Sequence, residues 1–126
     1  MAREEFQYAL LQVVPRVERG ERMNAGVVLF CRRRGFLAAR VGLDRERLRA
    51  LDPDADAGEV ERHLRALASV AAGADDGGAI AALPQSERFH WLAAPSSTVI
   101  QPSPVHTGLC DDPAETLDRL YARLVA

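Results

Sequence analysis

The densest chemistry in the chain lies near its end, where His106-Thr107-Gly108-Leu109-Cys110 runs into Asp111 and Asp112. Imidazole, thiol and carboxylate donors share this stretch, and His90 could complete a nitrogen, sulfur and oxygen set for zinc. The same residues admit nucleophilic catalysis, with Cys110 activated near a helix start and His106 or His90 as base. Against both readings, no Cys-x-x-Cys or His-x-x-x-His pair exists, and Asp112 serves better as a helix cap. No metal and no cofactor are therefore expected. Cys110 reads as a small buried residue at the junction of loop and helix. Cys31, inside an apolar run, reads as core, and His63 as solvated. Ser96, Ser97 and Ser103 lack any G-x-S-x-G elbow, so a serine hydrolase is unsupported.

A second polar cluster precedes the most apolar run of the chain: Gly20-Glu21-Arg22-Met23-Asn24-Ala25-Gly26. As a site, Glu21, Asn24 and Gly26 would shape a pocket, and Arg16, Arg19 and Arg22 would bind an anion. As scaffold, Asn24 would hydrogen-bond the loop backbone and Gly26 would permit a bulge or a close neighbour. The scaffold reading is the simpler. A phosphate loop is excluded, because glycines are few and a strand follows.

The elements that position these groups follow from periodicity. Residues 6–14 alternate, with Tyr8, Leu10 and Val14 on one face and Ala9, Leu11 and Val13 on the other, and end at Pro15. Residues 25–31 are apolar throughout, which predicts an interior strand covered on both faces. Arg32-Arg33-Arg34-Gly35 is a turn into a third strand at 36–41, completing an antiparallel meander. Asp44 caps a short helix. Asp56, with Glu59 three residues on, starts a longer one bearing Val60, Leu64, Leu67 and Ala71 on one face. Residues 72–78 read as a mobile loop and 79–83 as a helical turn. Phe89 and Trp91 alternate with Arg88 and His90, which predicts a half-buried strand at 87–92 with both aromatics in the core. A short strand at 98–101 is confined to an edge by Pro102 and Pro104, and the proline-punctuated 95–104 segment is a loop. Asp112, Pro113 and Glu115 open a last helix whose stripe is Leu117, Leu120, Tyr121, Leu124 and Val125. The fold class is α+β: a sheet of four to five antiparallel strands against two or three helices, the C-terminal helix packed on the sheet, all within one domain spanning 1–126.

Composition limits the function classes. No apolar run is long enough to span a bilayer, and the start lacks the apolar stretch of a signal peptide. Two distant cysteines argue for reduced thiols and a cytoplasmic location. All 16 bases are arginine, a pattern fitting a GC-rich bacterial genome better than phosphate recognition. Residues 1–49 carry 11 Arg against 6 acids and residues 50–126 carry 5 against 12, so halves of +5 and −7 make the total of −2. The halves can neutralise each other or leave a basic face for an anionic partner. With that net charge and few aromatics, nucleic acid is not the expected partner.

Tyr8 and Leu11, Val14-Pro15, and Gly20-Glu21 with Asn24 and Gly26-Val27-Val28-Leu29 resemble the opening of a bacterial family of unknown function, the domain numbered 3037. Leu117-Asp118-Arg119-Leu120-Tyr121 is similar to the helix that ends its members. The resemblance implies no reaction, cofactor or catalytic residue, but it does imply a partner, a HipA-like kinase encoded nearby. Two functions follow as expectations. One is an accessory or adaptor domain that binds another protein through the sheet's open edge or its Arg-bearing loops, with a homo-oligomer as a variant. The other is a small-molecule binder or enzyme with a pocket between the 15–26 and 95–111 loops, lined by Arg16, Glu21, Asn24, His106 and Cys110.

Overall fold

The alternating N-terminal run folds as β1 (Glu4–Val13) in the computed structural model, which describes residues 3–96 and 98–126. Ser97 lies outside the described residues. β2 (Met23–Cys31) and β3 (Phe36–Val41) follow as an antiparallel meander. The sheet order is β3-β2-β1-β4, with a fifth strand also on β1, so β2 is interior as its unbroken apolar sequence requires. Ala9, Leu11 and Val13 face one core; Phe6, Tyr8 and Leu10 face the other.

Helices cover both faces. On the first lie α1 (Arg45–Leu51), α2 (Ala57–Ala72) and α4 (Gln85–Ala93), burying Leu48, Val60, Leu64, Phe89 and Leu92. On the second lies α5 (Pro113–Leu124), burying Leu117 and half-burying Leu120 and Tyr121 over Val27, Leu29 and Cys31. The caps are those the sequence names. Carboxylate oxygens of Asp44, Asp56 and Asp112 accept from the backbone N–H groups of Arg47, Glu59 and Ala114 at 3.1, 3.1 and 3.0 Å.

Three expectations need correction. Residues 87–92 are helical, within α4: Pro84 precedes its first turn, Glu87 lies in that turn, and Phe89 and Leu92 at i, i+3 spacing form the buried stripe. Helical pitch therefore turns Trp91 away from Phe89, and it is 45% exposed instead of core. Residues 72–78 are not simply a loop, since a 3-10 turn (Asp75–Gly77) leads into α3 (Gly78–Ala81). Ile80 and Ala81 pack inward there, and Arg88 donates from Nη1 to the Leu83 carbonyl at 2.6 Å.

The third correction concerns the end of the sheet. The short strand expected at 98–101 is present as β4 (Ile100–Pro102), but the stretch read as ligand donors is itself a strand, β5 (His106–Cys110). Both pair antiparallel with β1, β4 on Leu11–Val13 and β5 on Glu4–Tyr8. Pro102 and Pro104 interrupt the ladder, and Ser103 spans the gap. Its N–H donates to the Leu10 carbonyl and its hydroxyl accepts from the Leu10 N–H, both at 2.8 Å. Beyond β4 and β5 no further strand pairs among the described residues, and Leu109 on that edge is 63% exposed.

Candidate functional site

The polar cluster ahead of β2 is best followed from the backbone. Leu11 pairs with Gly26 and Gln12 with Asn24, leaving Ala25 as the extra residue of a β-bulge. Before the bulge, Met23 and Ala25 face the α2 side; after it, Val27, Leu29 and Cys31 face α5, with Val28 and Phe30 on the α2 side. Gly26 cannot carry a side chain without crowding, because a Cβ there would lie 2.9 Å from Val41 Cγ1 and 3.2 Å from the Arg40 carbonyl oxygen. Asn24 is half-buried and fully engaged. Its Oδ1 accepts from Gln12 Nε2 and its Nδ2 donates to the Leu124 carbonyl, both at 3.0 Å. The acceptor is one of the carbonyls that a helix leaves unpaired in its last turn.

Two further contacts fasten the same helix. Arg40 Nη1 donates to Asp118 Oδ1 at 3.0 Å while its guanidinium carbon sits 4.5 Å from the Tyr121 ring centroid. The Tyr121 hydroxyl occupies the space a side chain at Gly42 would need. Asn24, in the first stretch that carries the family resemblance, thus bonds the last turn of the helix that holds the second, and Arg40 of β3 holds Asp118 and Tyr121 within that second stretch; together these contacts clamp α5 to the sheet.

The five residues singled out from the sequence do not line one cavity among the described residues. Arg16 donates from Nη2 to Asp52 Oδ1 at 3.3 Å. Glu21 accepts from Arg19 Nε at 2.6 Å, and that bond holds its carboxyl below its ordinary pKa. Asn24, His106 and Cys110 stand opposite Gln12, Tyr8 and Glu4 of β1. At about 3.3 Å per residue, Asn24 and Cys110 are therefore roughly 26 Å apart along the strand. His106 is exposed and tilts against Tyr8 with ring centroids 5.2 Å apart. Cys110 is buried in the α5-side core that also holds Cys31; burial, with the Cys31 thiol adding, pushes its pKa up. That is opposite to an activated nucleophile. No group of three His, Cys, Asp or Glu side chains able to hold a metal occurs among the described residues.

Of the five, Cys110 edges a cleft of about 310 Å³, shared with Asp111, Asp112 and Glu115; the more apolar clefts lie elsewhere. A cleft of about 340 Å³ opens between Pro15, the α1–α2 connection and the 98–100 segment, floored by Leu48, Val60 and Ile100. A second of about 340 Å³ adjoins it under α4, lined by Leu67, Trp91, Leu92 and Pro95. The two share His63, Thr98 and Ile100, and so adjoin along α2 as a two-part groove. Its exposed apolar groups are Trp91 and, at 39% exposure, Val99. The strand reading of 87–92 concealed this surface by placing Trp91 inside; the signal that reveals it is the i, i+3 pair Phe89 and Leu92, which fixes the buried face of α4 and leaves Trp91 off it.

No helix among the described residues is long and apolar enough to cross a membrane. No curated protein and no solved structure matches the chain. One family model does, over residues 8–125, and with nearly the whole sequence matched the chain belongs to the family described as protein of unknown function, DUF3037.

Proposed function

We propose that the chain is a cytoplasmic protein-interaction module that receives an apolar segment of a partner in the groove alongside α2. The observation carrying this reading is Trp91: a large aromatic side chain left 45% exposed on the wall of the apolar cleft under α4. Tryptophan is over-represented among residues that dominate binding energy when a partner covers them. Asn24 is engaged in fastening α5 and Gly26 in the close approach of β3, which supports assigning the cluster to the scaffold. The family resemblance points to a HipA-like kinase as the first bait.

Affinity capture with the purified chain tests the reading. Trp91→Ala should weaken partner binding by about 2 kcal/mol, roughly thirtyfold, without altering the fold, and Val99→Asp should act in the same direction. Leu109→Lys, on the open β5 edge, should leave binding intact. Loss of capture in Leu109→Lys alone would move the contact to the sheet edge.

A second reading has one observation in its favour: the first cleft lies where Pro15 meets Thr98, Val99 and Ile100, at one end of the junction expected for a small-molecule pocket. A small ligand would raise the melting temperature of the isolated chain, whereas the interaction module needs its partner for that shift.

A further inference from the structure

Resting on that reading of the groove, the charges along it identify the chemistry of the segment it takes. The end near α1 is lined by Asp52, Asp56 and Glu59. The end under α4 has no Asp, Glu, Lys or Arg among its lining residues. Residues 50–61 hold Asp52, Asp54, Asp56, Glu59 and Glu61 and no base. Two of the three lining carboxylates already have partners, Asp52 with Arg16 and Asp56 with the backbone N–H of Glu59. Glu59 is exposed and makes no ion pair among the described residues. Arg62, further along α2, is not among the lining residues.

An apolar trough with a carboxylate at one mouth and an indole at the other is an oriented site. We infer that its occupant is an apolar peptide segment of another protein bearing an arginine or lysine at one end. The base lies against Glu59 and the apolar residues lie along Leu67 and Trp91. Complementary charge at the rim then sets direction and partner choice more than total affinity. A strand added to the β5 edge is not the occupant, because that edge carries His106, Thr107, Gly108 and Leu109 and no side chain that would select a charge.

The test is selection of a displayed library of random short peptides on the immobilised full chain, followed by affinity measurements on the enriched sequences. Enriched peptides should pair an apolar run with a terminal Arg or Lys. Glu59→Arg should weaken them by about tenfold at low salt, twice the effect of one exposed ion pair, and the loss should shrink as salt rises. This variant retains the backbone N–H that Asp56 caps. Trp91→Ala should weaken the same peptides whatever their charge. Enriched peptides without a basic end, or basic ones indifferent to Glu59→Arg, would overturn the charge inference; loss of binding in Trp91→Ala would then show that the groove itself still binds. Peptides indifferent to Trp91→Ala, or no enrichment at all, would overturn both.

Discussion

Replacing Asn24 with alanine separates the scaffold reading of the polar cluster from the reactive one. The side chain makes two hydrogen bonds of 3.0 Å, accepting from Gln12 Nε2 and donating to the Leu124 carbonyl. A net value of about 0.5–1.5 kcal/mol per bond gives about 1–3 kcal/mol. Asn24 is only half-buried, so water recovers part of the loss and the lower half, about 1–2 kcal/mol, applies. For a chain of 126 residues that lowers the melting temperature by roughly 3–8 °C. Calorimetry or thermal circular dichroism measures this shift. Asn24→Asp should fare no better, because it keeps the acceptor but sets a carboxylate against the Leu124 carbonyl. Partner capture at temperatures where the variant is folded should match the wild type. An unchanged melting temperature together with abolished binding would refute the reasoning, placing Asn24 in the working surface and leaving α5 fastened by other means.

Other consequences are sharper in sign than in size. Gly26→Ala should destabilise by about 1–3 kcal/mol, since the new methyl meets Val41, the Arg40 carbonyl and Leu11 within 2.9–3.3 Å; a denaturation midpoint equal to wild type would contradict the packing of the bulge. Ser103→Ala leaves the Leu10 N–H without its 2.8 Å acceptor and should cost about 1–3 kcal/mol, read as faster amide exchange at Leu10. Cys110, its thiol pushed up by burial, favours the protonated form when folded. Its contribution is therefore complete below the unfolded thiol range near about pH 8.5 and is lost as pH rises through the higher folded value. The urea midpoint should fall with pH across that alkaline window, Cys110→Ala should flatten the slope, and native Cys110 should resist alkylation at neutral pH. Rapid native alkylation would contradict its burial.

How far the sequence foretells this depends on the length and regularity of each element. β1, β2 and β3 are long apolar runs ended by a proline or a glycine turn, and α2 and α5 carry capping aspartates and apolar stripes, so all five are legible. α4 is not, because Phe89, Arg88, Trp91 and His90 alternate over only a few residues, where the periods of two and 3.6 are hard to separate. β4 is legible in outline from the 98–101 run, but β5 escapes for another reason. It is short, follows Pro102 and Pro104, contains Gly108, and is held by pairing to β1, a contact distant in sequence. That miss carried over to function. His106 and Cys110 resemble a donor set when read in one dimension, yet a strand puts successive residues on opposite faces, leaving His106 against Tyr8 and Cys110 in the core. The groove was illegible for a like reason: its walls come from α1, α2, α4 and the 98–102 segment.

The surface that meets the partner can be read directly by hydrogen–deuterium exchange on the chain alone and in complex with the protein it captures. Protection confined to residues 59–67, 91–96 and 98–102 is the expected result, since those backbones border the groove. Protection along 16–24 and 106–110 with the groove unchanged would contradict the account.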